Sequence, residues 1–281
     1  MATKNGWLAA VLVVGMAVGC GEGATGAMPS ASQKSQAQTA STGSSTIAKT
    51  EEAATNAVIE SGAPGSTSAK SGSQKSYAAG TTINYQASVT VTVDLDVLNS
   101  SGQDAFPNAT GTFSVTANGT VVGDGMNGQV TYDVHVAWTT DGVFTDPACG
   151  DSATIASGSN WNYSLQIQWA KTDDLNWSIS ASADVAGALN ATVNHDGTTW
   201  TVTGTVTRHA ALSLSRTAGN YAFTFGVNGQ HTVVISNGVE THTVITTMTA
   251  LDHIMIEVDG VSFGPYTLAQ ILWWWGFHCT C

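Results

Sequence analysis

Residues 83–97 read INYQASVTVTVDLDV, and every second position carries an apolar side chain. Those positions are Ile83, Tyr85, Ala87, Val89, Val91, Val93, Leu95 and Val97. Successive side chains of a β-strand point to opposite faces of the sheet, so this alternation predicts one long strand with a buried face. The stretch is the first strand of a β-domain that we expect to span residues 77–281.

The same alternation returns further along the chain, in residues 130–138, 161–169, 175–181, 200–206 and 221–227. Asn-Gly and Asp-Gly dipeptides stand between or near these runs, and they supply the positive φ angles that tight hairpins need. These dipeptides are Asn118-Gly119, Asp141-Gly142, Asp196-Gly197, Asn228-Gly229, Asn237-Gly238 and Asp259-Gly260. Hairpins join antiparallel strands, and no helical crossover pattern separates the runs. The sequence therefore predicts an all-β, antiparallel meander of about a dozen strands.

The strands are longer than the usual five or six residues, and a twisted sheet of many strands tends to curl or divide. We expect a barrel or half-open barrel, with a two-sheet β-sandwich as the alternative.

The first twenty residues have the layout of an export signal. Lys4 precedes an apolar run of about a dozen residues from Trp7 to Val18, too short to cross a bilayer that needs about 20. The run closes on Ala17-Val18-Gly19-Cys20. This ending resembles the lipobox of bacterial lipoproteins, with alanine in place of the usual leucine. The resemblance implies that Cys20 is lipidated and that the protein is anchored to the outer membrane of the cell envelope, facing the periplasm or the cell surface.

Residues 21–76 have the composition of a linker. Of these 56 residues, 37 are Ser, Gly, Ala or Thr, and none is aromatic. Such a segment offers little apolar area to offset its chain entropy. We expect a disordered tether between the anchor and the β-domain.

Charge is distributed unevenly. Residues 76–281 carry three cations, Lys171, Arg208 and Arg216, against sixteen acidic residues, which gives a net charge of −13. This charge repels phosphate backbones and so argues against a nucleic-acid partner. It also argues against attraction to anionic lipid, so membrane contact should come through the N-terminal lipid.

Two histidines and a glutamate form a weak candidate metal site. If Asn228-Gly229 and Asn237-Gly238 are two-residue turns, Val234 pairs with Thr241. His231 and His242 then become diagonal neighbours on one face, with Glu240 nearby. Two imidazoles and a carboxylate can bind zinc. The alternative is a pair of ordinary solvated strand histidines.

The end of the chain predicts a short helix over residues 267–275. Thr267 and Gln270 have capping-box spacing, and apolar residues recur behind them at helical intervals. Trp273, Trp274 and Trp275 are about 100° apart on a helix, so at least one indole should be exposed. Exposed indoles favour contact with a sugar, a lipid or a partner, and the alternative is a helix that plugs one end of the β-structure.

Cysteine chemistry has two interpretations. A disulfide from Cys149 to Cys279 or Cys281 would fit an oxidising compartment. The alternative is a metal site at His278 with the two neighbouring cysteines.

No nucleophile motif or metal-ligand spacing of high specificity is present, so we expect no cofactor and no enzymatic activity. The expected role is structural or binding, with an apolar ligand, a glycan or an envelope protein as candidate partner. Two alternatives stay open: a carrier of an apolar ligand or lipid in the barrel mouth, and a metal-binding protein or enzyme.

Overall fold

The computed structural model describes residues 29–60, 83–96, 108–124, 126–145, 150–268 and 270. Helix α1 spans Ala31–Glu60. Thirteen strands follow it: β1 (Ile83–Asp94), β2 (Ala109–Thr110), β3 (Thr112–Gly123), β4 (Asn127–Trp138), β5 (Gly142–Thr145), β6 (Ser152–Ile155), β7 (Asn160–Asp173), β8 (Asn176–His195), β9 (Thr198–Thr217), β10 (Asn220–Ser236), β11 (Thr241–Ala250), β12 (His253–Val258) and β13 (Val261–Tyr266).

All thirteen strands belong to one sheet, and every pairing is antiparallel. Ten strands follow the order β1-β3-β4-β7-β8-β9-β10-β11-β12-β13, while β2, β5 and β6 pair beside this path. The prediction of an all-β antiparallel sheet of about a dozen strands is confirmed. The sheet is not closed, because β1 and β13 each end the order without pairing with one another. The closed barrel is therefore wrong.

The position of the helix is also a correction. Helix α1 lies N-terminal to the sheet, inside the segment that composition predicted to be a disordered linker. The predicted C-terminal helix does not provide the helix of the fold, and residues 269 and 271–275 of it lie outside the described residues. The capping box itself is present, because the Thr267 backbone N–H donates to Gln270 Oε1 over 2.8 Å and the Gln270 N–H donates to Thr267 Oγ1 over 3.1 Å.

Helix α1 crosses almost the whole sheet. Thirty residues at about 1.5 Å each make it about 45 Å long, and it contacts strands from β1 to β12. We call the side of the sheet against which it packs the helix face, and the opposite side the outer face. Among the described residues, no helix is long and apolar enough to span a membrane.

The buried side of α1 is made of small residues rather than large apolar ones. Ile47, Ala53 and Ala54 are buried together with several hydroxyl side chains. The hydroxyls donate within the helix: Ser44 Oγ to the Ala40 carbonyl over 3.0 Å and Thr50 Oγ1 to the Thr46 carbonyl over 2.7 Å. Burial therefore leaves these hydroxyls satisfied.

Gly43 marks the closest approach of α1 to the sheet. A Cβ atom there would lie 3.0 Å from Val202 Cγ1 and 3.5 Å from Val193 Cγ2. The core lies between α1 and the helix face and includes Phe113, Trp138 and Ile235.

Candidate functional site

The helix face continues beyond α1 onto one end of β7, β8, β9 and β10. β8 and β9 each have 20 residues, whereas β11 has 10, so these strands extend past β11. We call the extending ends, which include Trp169 and Phe223, the lower halves of the strands. Direct cross-strand pairing puts Trp169, Ile179, Leu214 and Phe223 in one row. The neighbouring row consists of Ile167, Ala181, Leu212 and Phe225.

This surface is open to solvent. The exposed fraction is 61% for Phe223 and 66% for Tyr221. Exposed aromatic residues that adjoin one another mark interaction surfaces more often than scattered ones do. We call these two rows, together with Trp177 and Tyr221, the apolar face.

Two of the three cations of the β-domain lie at the lower rim of the apolar face. The last row pairs Lys171 with Trp177, Trp177 with Arg216, and Arg216 with Tyr221. Lys171 forms an ion pair with Asp174 over 2.6 Å. The Arg216 guanidinium donates to the Asp174 carbonyl over 2.8 Å and lies 5.3 Å from the Tyr221 ring centre. Its buried Nε has no hydrogen-bond partner in the described part of the chain.

Beside the apolar face runs an unpaired strand edge. β10 pairs with β9 along its full length, but its pairing with β11 begins only at Gly229. Residues 220–228 thus have a neighbour on one side only among the described strands. The sequence of this edge is NYAFTFGVN, which contains no charged residue and no proline. Edges of this kind pair readily with other strands.

A second group of functional side chains is buried beneath α1. Glu51, fully buried, forms an ion pair with Arg208 of β9. Burial raises the pKa of Glu51 to about 7, against the opposing effect of Arg208. Thr55 and Tyr163 share a hydrogen bond of 2.9 Å between their hydroxyls. Burial also raises the pKa of Tyr163.

His231 belongs to the same region. Burial, with a smaller contribution from the Arg208 charge, lowers the pKa of His231 to about 4. This arrangement could not be read from the sequence, because Glu51 and Thr55 lie in the segment interpreted as a linker.

The structure does not bring His231 and His242 together. β10 runs uninterrupted through Asn228-Gly229, and Ser236 pairs with Thr241, so four residues rather than two form the next turn. The observed register differs from the predicted one by two residues. Because side chains alternate with a period of two, both histidines still lie on one face, as expected. His231 is opposite Thr246, four residues from His242 and so about 13 Å away along the strand.

His242 has its own partners. Its Nδ1 meets Asp259 Oδ2 at 2.7 Å, and its Nε2 lies 2.9 Å from Gln36 Nε2 and 3.4 Å from Glu240 Oε2. Desolvation lowers the pKa of His242, but the hydrogen bonds to Asp259 and Glu240 act in the opposite direction, and the net effect is a raised pKa. These contacts connect α1 to β11, and sequence reasoning missed Gln36 and Asp259.

The remaining predicted site residues lie outside the described residues. They are Cys20, Cys149, Trp273, Trp274, Trp275, His278, Cys279 and Cys281. Lipidation, disulfide pairing and the exposed indoles stay predictions.

The outer face is polar throughout its centre. One row of paired residues crosses six strands: Asn118, Asp133, Ser164, Asp184, His209 and Asn228. These side chains line a shallow groove of about 660 Å³. His209 Nδ1 meets Asp184 Oδ1 at 2.6 Å across the strands. The two sides of β7, β8, β9 and β10 therefore differ: the outer face is polar, whereas the apolar face lies on the helix side.

No protein-family model, curated protein or solved structure matches the chain. Its function is therefore argued from its own residues.

Proposed function

We propose that the protein is an exported, lipid-anchored envelope protein with a non-enzymatic structural role, and that two copies join along the free edge of β10. The observation that carries the proposal is a nine-residue edge, next to exposed Tyr221 and Phe223, with which no described strand pairs. Cys20 would supply the anchor, as its resemblance to a lipobox implies.

A second copy fits this edge because residues 220–228 are self-complementary. Antiparallel pairing centred on Thr224 places Phe223 opposite Phe225 of the second copy and Tyr221 opposite Val227. Residues directly opposite share a face, so all these apolar side chains stay on the helix side of the joined sheet. Such a contact uses the same patch twice, as a two-fold symmetric dimer requires.

The charge of the edge also favours a second copy. Each β-domain has a net charge of −13, which opposes association over most of the surface. Residues 220–228 are the exception, because the segment is uncharged. Pairing there satisfies the edge backbone groups and covers aromatic side chains without bringing like charges opposite one another.

Oligomeric state tests the proposal directly. We expect a dimer in sedimentation equilibrium at micromolar concentration and a monomer for Phe223→Lys, because the lysine would place a charge in the joined apolar row. Val239→Lys is the matched control, since Val239 is 91% exposed in the turn at the opposite end of β10. A monomeric wild-type protein would refute the dimer.

A cysteine pair tests the register. With the native cysteines replaced by serine, Thr224→Cys should cross-link to itself, because opposing Cα atoms lie about 4.5–5.5 Å apart and a disulfide spans that distance. Val227→Cys should not, because six residues separate Val227 from its symmetry mate, about 20 Å along the strand. Equal cross-linking of both variants would contradict the register.

Arg216 favours one second candidate, a carrier of an apolar ligand with an acidic head. In this case dodecanoate would bind a monomer, its brominated form would quench Trp169 and Trp177, and Arg216→Gln would abolish the preference for dodecanoate over dodecanol. Dodecanoate binding without dimerisation would replace the structural role with that of a carrier.

The anchor is tested separately by mass spectrometry of the mature N-terminus. We expect an acylated Cys20 as the first residue. An unmodified cysteine or cleavage elsewhere would leave the protein exported without a lipid.

A further inference from the structure

The hairpin that joins β8 to β9 brings two acidic side chains around a buried histidine. His195 is the last residue of β8, and Asp196-Gly197 form the turn, with φ angles of 50° and 72°. Asp151 precedes β6, which pairs with the same end of β8 through Ser152 and Asn194. The three side chains thus meet where β6 and β8 lie side by side.

Asp151 orients the imidazole. Its Oδ2 lies 2.6 Å from His195 Nδ1, and its Oδ1 accepts a hydrogen bond of 3.3 Å from the Asp196 backbone N–H. The carboxylate therefore fixes both the ring and the turn. Accepting from Nδ1–H leaves the lone pair of the neutral ring on Nε2.

The other ring nitrogen has no hydrogen-bond partner among the described residues. His195 Nε2 is buried, and the side chain as a whole is only 9% exposed. Nε2 faces Asp196 Oδ2 at 3.6 Å, which is too long for a hydrogen bond. A buried ring nitrogen without a partner costs free energy, and a group that bridged Nε2 to the carboxylate would remove that cost.

The other histidines with a carboxylate partner differ from His195. The His209 ring of the pair with Asp184 is 41% exposed on the outer face. His242 has Asp259 on Nδ1 and Gln36 on Nε2, so both of its nitrogens have partners. Among the described residues, only Asp151, His195 and Asp196 place three potential ligand atoms within 4.8 Å of one another.

We propose that His195 Nε2 and Asp196 Oδ2 bind a divalent transition metal of the zinc class, with Asp151 holding the imidazole. Ligands at about 2.0–2.1 Å in a tetrahedral site lie about 3.4 Å apart, close to the observed 3.6 Å. A carboxylate behind the metal-binding histidine is the usual supporting arrangement. Imidazole favours zinc, copper or nickel over magnesium and calcium. The exposed Asp196 gives an entry path, and water completes the coordination.

Calorimetry with Zn²⁺ and absorption spectroscopy with Co²⁺ test the site in the tag-free full chain. This chain carries Cys279→Ser and Cys281→Ser, which remove the two thiolates of the alternative metal site at His278. We expect one equivalent to bind and the visible bands of tetrahedral Co²⁺ to appear. Asp196→Asn is the sharpest variant, because asparagine tolerates the positive φ of the turn. We expect at least a tenfold loss of affinity.

Asp151→Asn separates the supporting role from direct ligation. It should weaken binding by about 10–100-fold, as removal of a supporting carboxylate does. Asp184→Asn, in the matched pair with His209, should leave binding unchanged.

Two results would overturn the proposal. One is the absence of Zn²⁺ binding. The other is an equal loss in Asp196→Asn and Asp184→Asn, which would place binding elsewhere. Both results are independent of whether copies pair at β10.

Discussion

The upper and lower parts of the helix face belong to the same sheet, yet only the upper part is a core. Above Arg208 the face is covered by α1, and side chains such as Phe113 and Ile235 are fully buried. Below it, the same sheet presents Phe223 and Tyr221 to solvent. Alternation therefore decides which side chains share a face, and a covering element decides whether that face becomes a core or an interaction surface.

The comparison also separates two ways of covering apolar area. In the upper part the cover belongs to the chain and brings buried polar groups with it, including Glu51 and Thr55. In the lower part no strand of the described chain pairs with the edge, and the face is open as well. A second copy would cover both at once, whereas a small ligand would cover the face alone.

The largest effect should come from deleting the same side chain in the two parts. Phe113 is fully buried against Trp138, with ring centres 4.8 Å apart. We expect Phe113→Ala to lower the free energy of unfolding by about 3–5 kcal/mol, the usual cost of a buried phenylalanine. Phe223→Ala should cost under about 1 kcal/mol in the monomer, because that ring is mostly solvated. Urea unfolding at low protein concentration measures both.

Equal costs for the two phenylalanines would contradict the comparison. A large cost at Phe223 in the monomer would mean that another part of the chain covers the apolar face. A large cost only at high protein concentration would instead support the dimer.

The second prediction concerns pH, because the buried titratable groups lie in the upper part. Glu51, with a pKa raised to about 7, binds its proton more tightly in the folded state, so its contribution to stability falls as pH rises from about 4.5 to 7. His231, with a pKa lowered to about 4, binds its proton more weakly when folded, so its contribution rises between about pH 4 and 6.5. The two slopes oppose each other in the wild type.

Single variants should reveal each slope. Glu51→Gln should leave stability rising from pH 4.5 to 6.5, and His231→Gln should leave it falling, each by roughly 1–3 kcal/mol. Thermal unfolding across this range measures the slopes. Parallel profiles in the two variants would show that neither group titrates under α1.

Much of the sheet could be predicted because alternation is a local signal. The antiparallel pairing and the turns at Asp196-Gly197 and Asp259-Gly260 follow from period-two runs and turn residues. The predicted turn at Asn228-Gly229 is wrong, because this dipeptide lies inside β10. Gly229 belongs there for a packing reason: a Cβ would lie 2.5 Å from the Thr207 carbonyl oxygen.

Helix α1 and the groups it buries could not be predicted in the same way. Its buried side is mostly Ala, Ser and Thr, with Ile47 and Val58 as large apolar residues far apart along the helix, so no apolar stripe distinguishes it from a linker. Its hydroxyls are buried because they bond within the helix, which composition does not reveal. The Asp151–His195 contact was likewise missed, because 44 residues separate the pair and only the pairing of β6 with β8 joins them.

One local signal for α1 was present. Ser30 and Gln33 form a capping box, with the Ser30 N–H donating to Gln33 Oε1 over 3.0 Å and the Gln33 N–H to Ser30 Oγ over 3.3 Å. The spacing is the one recognised at Thr267 and Gln270.

The smallest predicted effect tests which of the two capping boxes stabilises the part of the sheet that α1 covers. Ser30→Ala should lower the free energy of unfolding by about 1 kcal/mol, the typical cost of a lost N-cap. It should also expose the upper helix face to a hydrophobic dye, because α1 is the cover there. Thr267→Ala removes the corresponding cap beyond β13 and should leave dye binding at the upper face unchanged. Dye binding that increased only in Thr267→Ala would show that the C-terminal segment, and not α1, protects the core.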